Sequence, residues 1–422
     1  MPARLWNCVV ITTVVVAVAT SGALMPSFAY AKDQLLTFDL DRIIELALER
    51  NPAIASARSV IEQNEGRQIQ AGAYPNPTVG VQTASGRARD PSIGKGLIED
   101  AVTAEQTVEW PGMRAARKEA AAAGLASATV GLDEAKLNLV AEVKQAFYEL
   151  LLAERTVDLL QQNLEIVQEV ARIVRARVRS GEGPQFEAVK ADVEVLKAKQ
   201  EMARAKNSVR VKLVGLDTLT SGALGTRYQV QGDFRSLRDR LDPEQMASRD
   251  LSQHPTLKRQ GKLVEQAEST VTKERQGRVP NVTLFGGYAR EIGREAVVGG
   301  MSLPVPVWYL QQGHIATALG TQRKEEAELV RSRNELTRAI NQHAREAETA
   351  QDQIIVYEEG LLKQAQEALR IAQLSFRQGA SSLLDVLDAQ RVQRQITVDY
   401  NQARFELSLA LTRFERAVGG PL

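Results

Sequence analysis

Arg179-Ser180-Gly181-Glu182-Gly183-Pro184 closes one long helical pattern and opens another, and Gln378-Gly379-Ala380-Ser381 does the same about 200 residues later. The stretches leading into these turns also match. Asn51-Pro52 and His254-Pro255 each open a helix, and Pro75-Asn76-Pro77 and Pro280-Asn281 each end one. Trp110-Pro111 and Pro306-Val307-Trp308 each precede a long helical run. Residues 39–216 and 243–418 therefore carry one pattern twice: helix, hairpin, long helix, sharp turn, returning helix. Repetition of this kind builds tubes and arrays, not a catalytic cleft.

The long helices are read from spacing. Leu139, Val143, Ala146, Leu150, Ala153, Val157, Leu160, Leu164, Val167, Ala171, Val174 and Val178 alternate fours and threes without a break. This predicts a helix over 113–180 with a coiled-coil seam. At 1.5 Å per residue it spans ~100 Å, too long for a compact domain. Ile340, Ala347, Ile354, Leu361 and Ala368 recur every seven residues and predict the same over 313–378. Shorter helices are expected over 39–72, 184–215, 243–278 and 382–418.

Between them lie extended segments. Thr78 to Thr83 alternates, a Gly-rich charged loop follows, and Ala101 to Glu109 is extended again, placing two strands within 77–109. Val282, Leu284, Gly286 and Tyr288 alternate, as do Val297, Gly299, Met301 and Leu303, placing two more within 281–307. Residues 217–242, with Tyr228-Gln229-Val230 extended, form a lateral linker. The domain plan is a first repeat over 32–216, the linker, a second repeat over 243–418 and a tail over 419–422.

Residues 1–31 carry the features of a secretory signal. Arg4 is the positive end, Val9 to Ala19 the apolar stretch and Ala29-Tyr30-Ala31 the cleavage site, so the mature chain is expected to begin at Lys32. Cys8, the sole cysteine, precedes the apolar stretch, which predicts neither lipid anchor nor disulfide. No other segment offers ~20 apolar residues, so membrane insertion requires strands. Four strands cannot close a barrel, and lipid does not tolerate an open sheet edge. Three chains would supply twelve strands, above the eight that a closed barrel needs. The competing architecture is a soluble coiled-coil rod capped by two hairpins. Trp110, Trp308 and Tyr309, where strands meet helices, suit either an interfacial girdle or packing between helices.

Charge and motifs exclude other classes. Lys plus Arg is 53 and Asp plus Glu is 52, leaving no basic footprint and no nucleic-acid partner. There is no G-x-S-x-G, P-loop or G-x-G-x-x-G, and the chain is not expected to be an enzyme. His254, His314 and His343 lack ligand spacing, and the six Met are dispersed, so no metal site or cofactor is expected. His254 occupies the helix-start place that Asn51 takes in the first copy.

The ordered set Ala47-Leu48-Glu49-Arg50-Asn51-Pro52, Ala71 to Pro77, Val108 to Arg114, Arg179 to Pro184, Ser302 to Trp308 with Gln312-Gly313, and Gln378 to Gln390 resembles the TolC family of outer membrane efflux proteins, closest to its CzcC-type heavy-metal branch. The similarity covers nearly all of 39–418. It implies a mainly α fold with a small β part. Duplicated helical hairpins would form a trimeric α-barrel tunnel, with four strands per chain completing a 12-stranded outer membrane β-barrel. It also implies a passive exit duct in a tripartite system, set in outer membrane lipid with a periplasmic tunnel. The implied partners are two further copies in a homotrimer, a periplasmic adaptor (membrane fusion) protein and an inner membrane RND transporter. Divalent cations of the cobalt, zinc and cadmium class are the implied substrates. Drug export, type I secretion and a periplasmic coiled-coil stalk are the alternatives.

The resemblance also assigns residues. Arg179, Ser180, Gly181, Glu182, Arg377, Gln378, Gly379, Ala380 and Ser381 match the adaptor-docking tip. Asp385 and Asp388 match carboxylates that ring the tunnel entrance, where crowded like charge attracts cations. Read alone, they suit a solvated helix N-terminus equally well. Glu187 and Lys190 fall at the equivalent places in the first copy, and a Lys190–Asp388 contact would hold a closed state.

Overall fold

The computed structural model describes residues 36–86, 97–225, 227–237, 251–291 and 294–421. The signal-peptide reading, Cys8, the Gly-rich loop and the start of the helix expected from 243 lie outside or partly outside these residues. In chain order the elements are β1 (Leu36–Asp39), α1 (Leu40–Arg50), α2 (Pro52–Gly72), β2 (Thr78–Gly86), β3 (Leu97–Val108), α3 (Pro111–Arg179), α4 (Gln185–Leu219) and β4 (Tyr228–Gln231). A 3-10 turn (Leu251–Gln253) leads into α5 (Pro255–Gln276), β5 (Val282–Glu291), β6 (Arg294–Ser302) and α6 (Gln312–Val356). A π-helical turn (Tyr357–Leu361), α7 (Leu362–Arg377) and α8 (Leu383–Val418) complete the chain.

The helices align as four parallel rods. The first is α4 with α2 stacked on its end, the second is α3, and the third is α8 with α5 on its end. The fourth is α6 continued by α7. Most packing runs between neighbours: α2 and α4 against α3, α3 against α5 and α8, and α5 and α8 against the last rod. Each rod carries one strand, and the sheet repeats the rod order as β2-β3-β5-β6, antiparallel throughout. Among the described residues, the outer edges of β2 and β6 have no partner within this sheet.

The end-to-end joints are built by the two residues that precede proline. Asn51 accepts from the Ala53 amide at 2.8 Å and donates to the Leu219 carbonyl at 2.8 Å. It thereby caps the start of α2 and the end of α4 with one side chain. His254 does the same for α5 and α8. Its Nδ1 accepts from the Thr256 amide at 3.2 Å, which leaves Nε2 to donate to the Arg416 carbonyl at 3.1 Å. Burial pushes the His254 pKa down, favouring this neutral form.

Several boundaries differ from the sequence reading. The helix expected over 39–72 is two helices, because the extended Asn51 and Pro52 start a new one. Four residues before α1 form β1, which pairs in parallel with β4. The helix expected over 184–215 continues to Leu219.

The two long helices also differ. α3 runs for 69 residues without interruption, and all twelve predicted seam residues are buried or half-buried. In the second copy the π turn inserts one residue, which rotates everything below it by about 100°. Ile340, Ala347 and Ile354 are buried as expected, but Leu361 is 38% exposed and Ala368 is exposed. Their places inside are taken one residue later by the half-buried Leu362 and the buried Leu369, a series that the buried Phe376 continues.

Three clusters hold the rods. Around the linker, Phe147, Tyr148, Leu150, Leu216, Tyr228 and Phe234 surround the start of α1. Beside them the buried Glu415 carboxylate pairs with Lys144 at 2.6 Å and Arg235 at 2.8 Å. A second cluster joins α6 to α8, and a third lies under the turns at Gly181 and Gly379.

Candidate functional site

Three features concern function: the sheet, its junction with the rods, and the far end where the rods turn back.

The sheet has two unlike faces. Register places Val79, Val81, Val102, Ala104, Val108, Val282, Leu284, Tyr288, Val297 and Met301 on one side, with Gln106 among them. Thr78, Gln82, Thr103, Glu105, Thr107, Thr283 and Ser302 lie on the other, with Phe285 and Val298 among them. The apolar side is open, with Val297 87% exposed. Its outer end closes in a polar row, where Arg290 pairs with Asp100 at 2.9 Å and Thr83 donates to Asp100 at 3.1 Å. Its inner end meets the exposed Trp110, Trp308 and Tyr309. A bare apolar band between a polar row and aromatic residues is the profile of a lipid-facing barrel wall. The strands, 9 to 12 residues long, suit that span.

Two arginines bind the sheet to the rods. α2 ends facing the start of α3, and its last carbonyls need donors. Arg114 gives two hydrogen bonds to the Gly72 carbonyl, at 2.7 and 3.1 Å, and lies over the Tyr74 ring. Arg117 reaches the Ala71 and Ala73 carbonyls and grips Glu109 with both terminal nitrogens, at 2.6 and 2.9 Å. The hydrogen bond to Glu109 raises the Arg117 pKa, opposed by desolvation.

At the far end α3 and α7 stop in the same way. Gly181 donates to the Val178 carbonyl at 3.2 Å and Glu182 to Arg177 at 2.9 Å. Gly379 donates to Phe376 at 3.1 Å and Ala380 to Ser375 at 2.8 Å. Both glycines are left-handed, with φ of 81° and 80°, the geometry in which a Cβ is strained. The turns lie side by side because Arg177 donates to the Phe376 carbonyl and stacks 4.7 Å from its ring centroid. Val170, Ala171, Val174, Ala188, Ala191, Leu383 and Val386 fill the space beneath. Arg179, Ser180, Gly181, Glu182, Arg377, Gln378, Gly379 and Ala380 form an exposed apex, with Ser381 half-buried behind it.

Asp385 and Asp388 lie in the first turns of α8, both exposed. Asp385 closes a capping box. Its carboxylate accepts from the Ser382 hydroxyl at 2.7 Å and the Ser382 amide at 2.8 Å, and its own amide donates to Ser382 at 3.3 Å. The bond from the hydroxyl, then that from the amide, holds this carboxyl below its usual range. Asp388 accepts from Arg391 at 2.6 Å. The expected Lys190–Asp388 contact is not made within the chain, and Arg391, three residues on in the same helix, engages that carboxylate. Lys190 and Asp388 instead line one cavity of about 380 Å³ between α4 and α8, floored by the buried Asn163.

The capping box was readable as Ser382-x-x-Asp385. Arg177 was not, because its partner is distant in sequence and only the paired hairpins bring them together. Among the described residues, no three His, Cys, Asp or Glu side chains converge as a metal site.

This geometry has clear relatives. The family model for the outer membrane efflux protein matches residues 43–222 and 246–420. The chain is 26% identical over 410 residues to the cobalt-zinc-cadmium resistance protein CzcC of Cupriavidus metallidurans, covering 95% of this chain and 94% of that protein. It is 25% identical over 411 residues to the pyoverdine export outer membrane protein OpmQ of Pseudomonas putida, covering 90% and 86%. The fold superposes on the CmeC outer membrane channel of Campylobacter jejuni with a TM-score of 0.75 at 17% identity, covering 90% and 85%. The chain belongs to the outer membrane efflux protein family, built as a TolC-like passive duct and not as an enzyme.

Proposed function

We propose that three copies of this chain close into the exit duct of a tripartite efflux system for divalent heavy-metal cations. The observation that carries the trimer is the pair of unpartnered flanks. The β2 and β6 edges and the first and last rods all lie open in one chain. Lipid does not tolerate an open edge, and joining β6 of one copy to β2 of the next removes every edge at once. Three copies give twelve strands and twelve rods. The apolar band faces outer membrane lipid, and the rods reach ~100 Å into the periplasm. The secretory signal over 1–31 is cleaved, without lipid modification.

The apex at Arg179–Glu182 and Arg377–Ser381 docks a periplasmic adaptor, which connects it to an inner membrane RND transporter. Asp385 and Asp388 from three chains place six carboxylates near one axis, favouring cations at the tunnel entrance. The metal assignment is supported by the likeness to CzcC over nearly the whole chain. The likeness to OpmQ favours a second reading, in which the same duct exports an organic chelator or drug.

A susceptibility panel of cells with and without the gene tests both. It covers zinc, cobalt, cadmium, nickel, copper and silver together with lipophilic antibiotics. Sensitivity to divalent metals alone is expected. Sensitivity confined to antibiotics would transfer the duct to organic substrates.

A further inference from the structure

The duct reading leaves open which side chains join one copy to the next at the periplasmic end, and two exposed stripes point to them. On α4, Phe186, Val189, Val193 and Leu196 are spaced three, four and three and are all exposed. Core residues of the same helix, Ala188, Ala191 and Ala198, are buried on another face. The last rod has a matching stripe in Leu361, Ala368, Ile371 and Leu374, likewise exposed. Leu361, Ala368 and Ile371 are exposed because the π turn rotates α7, carrying the seam of the upper helix outward, and Leu374 extends the stripe.

The stripes lie on opposite flanks, one on the first rod and one on the last, the same flanks that hold the open β2 and β6 edges. They also lie at similar heights. The Arg177–Phe376 contact sets the two turns level. Phe186 comes five residues after Gly181 and Leu374 five before Gly379. Val189 and Ile371 are each eight residues from their glycine, and Val193 and Ala368 are twelve and eleven away. Rotation about the tube axis leaves height unchanged, so the operation that joins β6 to the next β2 brings equal heights of these rods together.

We propose that Val189 and Phe186 of α4 pack against Ile371 and Leu374 of α7 in the adjacent copy. The contact is an antiparallel seam between copies, and the π turn provides it. The occupant is a second copy of this chain, because the two stripes complement each other in register and the sheet requires a copy on the same flank. This inference rests on the duct reading.

The test pairs chains carrying Val189→Cys with chains carrying Ile371→Cys, co-expressed and oxidised in membranes. The only native cysteine is Cys8. A covalent dimer that reductant dissolves is expected for this mixture, and none for either variant alone. A second mixture replaces Ile371→Cys by Arg370→Cys, at nearly the same height but turned about 100° away. It is expected to cross-link at least tenfold more slowly. Mass measurement of the wild-type protein separates the two ideas. A trimer whose Val189 and Ile371 thiols do not link, or link more slowly than the Arg370 control, overturns the seam and leaves the duct. A trimer in which adaptor alone shields those thiols from maleimide assigns the stripes to the adaptor, also against the seam. A protein that never forms a trimer overturns both.

Discussion

Arg177 and Phe376 tie the two hairpin ends together: the guanidinium of one donates to the backbone carbonyl of the other and lies over its ring. The contact joins a charge-assisted hydrogen bond to a cation–π interaction, each contributing about 1–2 kcal/mol. Arg177→Ala is therefore expected to loosen the apex without unfolding the rods. Arg179 and Arg377 lie within it as exposed tryptic sites, so brief digestion should cut there roughly tenfold faster. Arg177→Lys keeps the charge but loses the planar stack and should fall between. Equal cleavage of all three proteins would show that the contact does not hold the apex.

Asp385 and Asp388 separate by their local bonds. Asp385 is engaged by Ser382, so Asp385→Ala removes half of a capping box as well as a charge. Asp388→Ala removes a carboxylate and frees Arg391. If the carboxylates line a constriction, Asp388→Ala alone should raise single-channel conductance in bilayers, and the double variant should admit large antibiotics into cells. Unchanged conductance and permeability would reduce both residues to helix-start chemistry.

His254 predicts a pH response. Its folded pKa is depressed, chiefly by burial, so the unfolded chain binds more protons in the window below 6.5. The His254 contribution is intact above that value and is lost as pH falls toward the folded pKa. His254→Asn copies the residue at the equivalent joint, where Asn51 accepts and donates in the same two directions. This variant should keep its stability near neutrality and lose part of the acid sensitivity in thermal melts. His254→Ala should cost about 0.5–2 kcal/mol near neutrality, the usual loss of a helix cap, and less as pH falls. An Asn variant that is as acid-sensitive as wild type would exclude His254 as the source.

The sheet predicts a difference between its faces. Val297→Arg puts a charge on the apolar band and should cost about 2–4 kcal/mol of membrane-inserted stability. Gln82→Arg, on the polar face, should be nearly neutral. Urea titration of the folded barrel in vesicles measures both. Equal costs would mean that the band does not face lipid.

What could be read from the sequence followed the range of its signals. Heptad spacing found the α3 seam because that helix is unbroken and each turn reports on the next. The same rule misplaced Leu361 and Ala368, because one inserted residue changes the phase without disturbing the spacing of apolar letters. β1 was missed because four residues carry little alternation and its partner β4 lies in the linker. The roles of Asn51 and His254 as helix starts were legible from the proline after each. Their second bonds, to Leu219 and Arg416, depend on rods stacking end to end, which no local pattern encodes. The polar apex was visible as two Gly turns, whereas the Arg177 contact needed both hairpins.

The joints at Asn51 and His254 have a mechanical consequence. They divide the first and third rods at mid-height, and the π turn interrupts the fourth lower down. Among the described residues α3 alone runs unbroken from sheet to apex. It is the stave of each chain, and its neighbours are segmented around it. A path for torque from the apex to the membrane end is one unbroken helix only along α3, and every other rod puts a joint or a turn in its way. A wall built this way can change its bore at one end and keep its shape at the other.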